Sequence, residues 1–303
     1  MLLSEVIELL SMSVEGARIV DLCSERASVS VEGPRIVLAD MECLSRVELL
    51  DAVAQCVDSA SIGVVPDLGL RIYLRPSILR DLHDRGLGVA QVFSGLGMGI
   101  VYRRGYNDEF ARRAVEVWRE SVAKGPMPIS VNTAKTLYAL TKFVTSWRRG
   151  RVVEVGSGLG FSTLFMAYAC RETGCRLLSF EVREDRARYV ESVLRELGLD
   201  ECTEIVIADA KSFDLGSRDV VLAFIDGAKE EYHEYLLNLE KFLTKRAIVL
   251  AHNTLSHPHL VSKYIELVYS PRYRSVTVAT DPAGLTLSIY LGTEGVNASS
   301  GAL

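Results

Sequence analysis

A chain of 303 residues is long enough for one large or two ordinary domains of about 100 to 200 residues each, and 49% hydrophobic with 24% charged residues excludes collagen-like, mucin-like and largely disordered classes. Asp, Glu or Arg breaks every apolar stretch short of the roughly 18 to 20 residues that a membrane span needs, so a soluble chain is expected. A net charge of −5 exerts no general pull toward nucleic acid. Glu5 and Glu8 stand where a secretory signal would carry basic residues, so a cytoplasmic location is expected. The six cysteines, Cys23, Cys43, Cys56, Cys170, Cys175 and Cys202, form no Cys-x-x-Cys pair and read as small buried apolar residues rather than a zinc knuckle or a disulfide framework. Asn and Gln number seven in all, which suggests selection against thermolabile amides.

The first hundred residues read as an α/β unit of their own. Helices are expected at 2–10, 44–57 and 77–85, and strands at 17–21, 35–39, 61–65, 71–74 and 89–93. Ten basic and fourteen acidic residues in 1–104 make this unit no nucleic-acid arm. Gly95-Leu96-Gly97-Met98-Gly99 then marks a loop or linker. From Arg151 onward short apolar runs alternate with amphipathic patterns, the mark of successive βα units and a parallel sheet. Strands are expected at 151–155, 176–180, 204–208, 219–225 and 247–251, with helices at 183–197 and 229–243 between them. Two β-rich runs, 275–280 and 285–291, joined by Asp281-Pro282-Ala283-Gly284, predict an antiparallel hairpin. The chain divides into 1–104, 105–294 and a small polar tail, 295–303.

The chemistry concentrates at strand ends. Val152-Val153-Glu154-Val155-Gly156-Ser157-Gly158-Leu159-Gly160-Phe161-Ser162-Thr163 is a hydrophobic strand ending in a glycine turn that opens a helix. Glycines let a backbone approach a ligand closely, and a helix N-terminus offers free N–H groups. Glu181 closes the next strand, where an acid in a doubly wound sheet accepts hydrogen bonds from ribose hydroxyls. Ile207-Ala208-Asp209-Ala210 and Phe224-Ile225-Asp226-Gly227-Ala228-Lys229 follow, so Glu154, Glu181, Asp209 and Asp226 all fall near carboxyl ends of strands. So many carboxylates suit a cationic sulfonium better than a phosphate-rich dinucleotide.

Over about residues 127–291 the sequence resembles the class I S-adenosylmethionine-dependent methyltransferases, in particular the O-methyltransferases of the catechol and caffeoyl-CoA type. Phe224-Ile225-Asp226-Gly227-Ala228-Lys229-Glu230-Glu231-Tyr232 carries the most specific match, with Met127-Pro128-Ile129-Ser130, Asn253 and the closing hairpin beside it. The resemblance implies a Rossmann-like, mostly parallel seven-stranded sheet with its last strand antiparallel, preceded here by a smaller α/β domain. It also implies S-adenosyl-L-methionine as cofactor, held around Glu154, Gly156, Ser157, Gly158 and Gly160. Ser162 would take the cofactor's carboxylate, Glu181 its ribose, and Asp209 and Ala210 its adenine, with Asp226 beside it. Asp226 and Asn253 would be metal ligands, and Lys229 the base that deprotonates a small-molecule hydroxyl, catechol-like or a vicinal diol.

Where that family has Asp-Asn after strand five, this chain has His252-Asn253. An imidazole in the set favours Mn²⁺, Fe²⁺ or Zn²⁺ over Mg²⁺. Three roles for His252 stand open: metal ligand, general base in a metal-free site, or structural histidine. His257 and His259 read as the start of the next helix, with Ser256 as cap and Pro258 in its first turn, and His233 as part of a solvated face. Two other functions remain: an RNA or protein methyltransferase whose first domain selects the substrate, and a non-catalytic cofactor-binding regulator. The first domain could also build a homodimer.

Overall fold

The computed structural model describes residues 2–23, 33–39, 46–66, 68, 77–93 and 97–292. The strand expected at 71–74 and the tail from 295 lie outside them. Two sheets form. In the first unit come α1 (Leu2–Ser13), β1 (Arg18–Asp21), β2 (Arg35–Leu38), α2 (Arg46–Cys56), β3 (Ile62–Val65), α3 (Ser77–Asp84), β4 (Leu87–Val92) and β5 (Met98–Arg103). Their strands stand in the order β1-β2-β3-β5-β4, the first three parallel and the last two antiparallel.

Strand β5 corrects the expectation of a linker at 95–99. Met98 and Gly99 belong to the sheet, Gly99 pairing with both Val65 and Gln91. A Cβ on Gly99 would lie 2.4 Å from Leu68 Cδ2, so the glycine serves close packing rather than chain flexibility.

The second unit begins with two helices that periodicity did not predict, α4 (Asp108–Lys124) and α5 (Val131–Trp147). Both are capped by side chains: Asn107 accepts from the Phe110 N–H at 2.9 Å, and Ser130 from that of Thr133 at 3.1 Å. Next come β6 (Arg151–Val155), α6 (Phe161–Thr173), β7 (Arg176–Glu181), α7 (Glu184–Glu196), β8 (Thr203–Ile207) and β9 (Val220–Ile225). A 3₁₀ turn at Lys229–Glu231 leads into α8 (Tyr232–Leu239), followed by β10 (Leu243–His252), α9 (Ser262–Val268), β11 (Tyr273–Val278) and β12 (Leu285–Tyr290). The order is β11-β12-β10-β9-β6-β7-β8, with β12 antiparallel to β10 and β11. The mostly parallel seven-stranded sheet with an antiparallel end is the one expected. β9, Val-Val-Leu-Ala-Phe-Ile, is buried at every position because it lies mid-sheet with both faces covered.

One buried cluster spans the two units, beside a further cluster within the second unit and another within the first. α1 packs on β10, β11 and β12 of the second sheet, while α5 packs on α6 and, on its other side, on β3, β4 and β5. Side chains of both units, Ile62, Val64 and Ile100 with Leu137, Leu140 and Val144, belong to a single buried cluster. Polar contacts pin the junction. Buried Lys142 donates to the Arg103 carbonyl, Tyr138 Oη and Glu172 Oε1, each at 3.1 Å. Breaking a buried pair strands the remaining charge. Lys142→Met is therefore expected to cost about 3 kcal/mol in a urea melt, well above the cost of a surface lysine substitution.

The cysteine expectation also needs correction. Cys170 and Cys175 form a disulfide across the end of α6, where left-handed Gly174 turns the chain back and brings the two Cα atoms to 4.6 Å. Cys23 is disulfide-bonded too, whereas Cys56 and Cys202 are free.

Candidate active site

β6 adjoins β7 on one side and β9 on the other, so the strand order reverses there, and open α/β sheets bind ligands outside that reversal. A cavity of about 1070 Å³ opens at this place, along the carboxyl ends of β6, β7, β9 and β10. Pockets that hold a drug-sized ligand run to roughly 300 to 1,000 Å³, so this one stands at the upper end of that range.

The glycine turn forms its floor. Gly156 has φ +91°, and a Cβ there would lie 2.6 Å from the Asp226 carbonyl, so only glycine lets β6 leave the sheet this close to β9. Gly156, Ser157, Gly158 and Ser162 line the cavity. Ser157 Oγ is buried without a hydrogen-bond partner, which is costly unless a ligand supplies one. Glu181 accepts from the backbone N–H of Gly158 at 2.9 Å and of Arg183 at 3.0 Å, tying β7 to the turn. Asp209 and Ala210 also line the cavity, with Lys211 bridging Asp209 at 3.4 Å and Glu231 at 2.6 Å.

Glu154 and Gly160 do not line it. Glu154 is fully buried under the turn, where Ser162, Thr163 and Ser179 all donate to its carboxylate. Burial, against those three hydrogen bonds, pushes its pKa up to about 7. It organises the turn from beneath, and it engages the Ser162 hydroxyl. Gly160, at φ +92°, faces Val190, which a Cβ would meet at 2.9 Å.

Opposite the turn lies an ionic cluster. Lys229 Nζ is 3.4 Å from Asp226 Oδ1 and 3.3 Å from the Gly227 carbonyl, and Tyr232 donates to the same Asp226 oxygen at 3.3 Å. His252, at the end of β10, is buried with Nδ1 3.7 Å from Asp226 Oδ2 and Nε2 3.1 Å from each oxygen of Asp281. Burial alone would lower the imidazole pKa, but Asp226 and Asp281 outweigh it and push it up to about 9. Burial likewise works against the Asp281 charge, yet His252, Thr133 and Ser130 hold that carboxyl well below its ordinary range. Asn253 lines the cavity with left-handed φ +62°, its amide 3.4 Å from Ser256 Oγ.

Asp281 was not foreseen as a site residue. In Asp-Pro-Ala-Gly it reads as turn chemistry, and only the β10–β12 register, pairing His252 with Leu285, brings it against His252. The expectation for Ser256 and Pro258 also fails: α9 starts at Ser262, and Ser256 instead pairs with His257 Nδ1 at 2.8 Å, both lining the cavity. Asp226, His252 and Asn253 all line the cavity, and among the described residues no three His, Cys, Asp or Glu side chains are grouped to hold an ion.

The sheet order, glycine turn and strand-end acids agree with the class I methyltransferase fold. Residues 153–254 match the family model described as a methyltransferase domain. No curated protein gives a significant match. Among solved structures, cofactor-bound Rv0187 from MTB is similar at 19% identity and a TM-score of 0.54 over 62% of this chain and 92% of that one. A putative O-methyltransferase from Klebsiella pneumoniae covers the same shares at 20% identity and 0.54. The O-methyltransferase TomG from Streptomyces achromogenes, in complex with SAM, does so at 20% and 0.53. The second unit therefore has the class I methyltransferase fold, and the chain resembles the O-methyltransferases in it.

Proposed function

We propose that the protein is an S-adenosylmethionine-dependent methyltransferase acting on a hydroxyl oxygen of a small molecule. One observation carries this reading: the partnerless Ser157 hydroxyl, the Glu181 carboxylate and the Lys229–Asp226 pair converge on a single cavity. The residues present fit the cofactor. Gly156, Ser157 and Gly158 would hold its methionine part, Glu181 the ribose, and Asp209 and Ala210 the adenine, while strand-end carboxylates favour a cationic guest. When bound, the cofactor supplies an electrophilic methyl group on a sulfonium.

The chain's own part is positioning and proton transfer. Fixing two reactants in line is worth up to about 7 to 11 kcal/mol in favourable cases. Lys229 takes the acceptor's hydroxyl proton on Nζ, steadied by Asp226 Oδ1 and the Gly227 carbonyl. Asp226, fixed by Tyr232 and His252, keeps that amine aimed at the acceptor. The first unit supports the acceptor wall: the Phe93 N–H donates to the Ala279 carbonyl at 2.7 Å, two residues before Asp281. The protein is assigned to the cytoplasm, where disulfides such as Cys170–Cys175 persist in hyperthermophiles, a habitat that the scarcity of Asn and Gln also fits.

Calorimetry with S-adenosylhomocysteine tests the cofactor assignment. Wild type is expected to bind, and Glu181→Ala to bind about 10- to 150-fold more weakly, the equivalent of losing about 1.5 to 3 kcal/mol of hydrogen bonding to a charged group. Equal affinity in the two proteins would remove Glu181 from the site; no binding by wild type would overturn the reading.

A further inference from the structure

Four of the thirteen large apolar side chains that stand exposed among the described residues gather around the turn that carries Asp281: Met127 at 78%, Phe93 at 53%, Leu255 at 51% and Val131 at 43%. Backbone bonds bring them there from three segments of the chain. The Leu255 N–H donates to the Ala283 carbonyl at 2.9 Å, and its side chain lies where a Cβ on Gly284 would meet it at 2.4 Å. The N–H of Ser130, which stands between Met127 and Val131 in sequence, donates to Asp281 at 3.3 Å. Phe93 comes from the first unit, its N–H on the Ala279 carbonyl at 2.7 Å. Met127, Pro128, Pro282 and Ala283 line the cavity itself, so the exposed rim continues its wall. Single exposed apolar residues are ordinary, whereas a group of them rimming a cavity marks a ligand groove.

The charges around the cavity narrow the ligand. Its lining lysines and arginines are Arg186, Lys211 and Lys229. Arg186 stands in the first turn of α7, directly after β7 and Glu181, and Lys211 bridges Asp209 and Glu231, so both lie at the end proposed for the cofactor. Lys229 alone stands at the acceptor end, where its ammonium already answers Asp226. A phosphate or carboxylate on the acceptor would leave water there without a free cation to meet it, which is costly. Resting on the function proposed above, we infer that the acceptor is an uncharged hydroxyl compound with a hydrocarbon chain, its hydroxyl at Lys229 and its chain running out across the rim. Phe93 and Met127 are specificity-determining residues in this arrangement, and the first unit takes part in substrate choice through Phe93. With the cofactor inside, a cavity of about 1070 Å³ leaves the far part of such an acceptor outside, against the rim.

The full chain is assayed with 4-methyl-, 4-butyl- and 4-octylcatechol below their micelle concentrations, with Mg²⁺ and Mn²⁺ supplied so that ions limit no member of the series. A fully buried methylene gains about fourfold in affinity, and one half-buried at a rim about twofold. Accordingly kcat/KM is expected to rise roughly 10-fold from methyl to butyl and about 100-fold from methyl to octyl, through KM with kcat nearly level. Phe93→Ser and Met127→Ser, both at exposed positions and checked by thermal melt, should weaken octylcatechol several-fold more than methylcatechol. Calorimetry of the same catechols on the S-adenosylhomocysteine complex reads the series independently of turnover. Caffeoyl-coenzyme A, with its phosphates, should be a poorer acceptor than octylcatechol. Equal affinity across the series, or a preference for the coenzyme A thioester, would overturn the inference while leaving the cofactor assignment intact. A concentration-dependent dimer in gel filtration that Met127→Asp abolishes would give the rim to a second copy of the chain instead. Absence of S-adenosylhomocysteine binding would sink the functional reading on which the inference rests.

Discussion

Lys229→Met is expected to lower turnover by about 10²- to 10⁴-fold, the usual contribution of a positioned proton-transfer group, while leaving the affinity for S-adenosylhomocysteine within about twofold, since the glycine turn and Glu181 are untouched. Methionine keeps the length and most of the volume of the side chain, so the cavity wall stays in place and only the amine is lost. The residue sits in the 3₁₀ turn after β9, where backbone geometry aims it back over Asp226 rather than into solvent. Stopped-turnover assays beside calorimetry separate the alternatives. An equal loss of cofactor affinity and turnover would make Lys229 a binding residue, and an unchanged rate would remove it from the chemistry.

The second sheet was legible from sequence because its strands are continuous apolar runs punctuated by turn residues, and the run in β9 admits no other reading. α5 escaped because it is buried almost all round, wedged between the two sheets, so the one-sided pattern that betrays a surface helix is missing. β5 escaped because Gly99, which packs tightly on Leu68, ends a glycine-rich run that looks like a linker. At the site, the residues next to the glycine turn could be anticipated because their neighbours in sequence are their neighbours in space. Glu154 misleads for the opposite reason: strand register sets it beside Ser179 of β7, where hydroxyls rather than a ligand claim its oxygens. Asp281 depends on a pairing 29 residues distant from His252, and no local pattern encodes that.

One buried cluster spans the two units, and a fragment beginning at Tyr106 is expected to be recovered as aggregate. Removing residues 1–105 uncovers the side of α5 that now packs on β3, β4 and β5, and the faces of β10, β11 and β12 that α1 covers. Each large apolar side chain returned to water costs about 1.5 to 3 kcal/mol, and a whole domain is stable by only about 5 to 15 kcal/mol, so a handful of newly exposed residues is enough. Polar losses add to this. Lys142 would forfeit the Arg103 carbonyl, Arg148 the Ser13 carbonyl at 2.9 Å, and Trp147 Nε1 the Ala60 carbonyl at 2.6 Å. The site would suffer directly, since Phe93 anchors Ala279 next to the Thr280–Asp281 pair that faces Thr133. Gel filtration and a thermal melt decide the matter. A monomeric fragment that melts cooperatively and binds S-adenosylhomocysteine would show that the boundary near residue 104 separates two self-sufficient domains; aggregate that is rescued by co-expressing residues 1–105 as a separate chain would show that the two units complete one core.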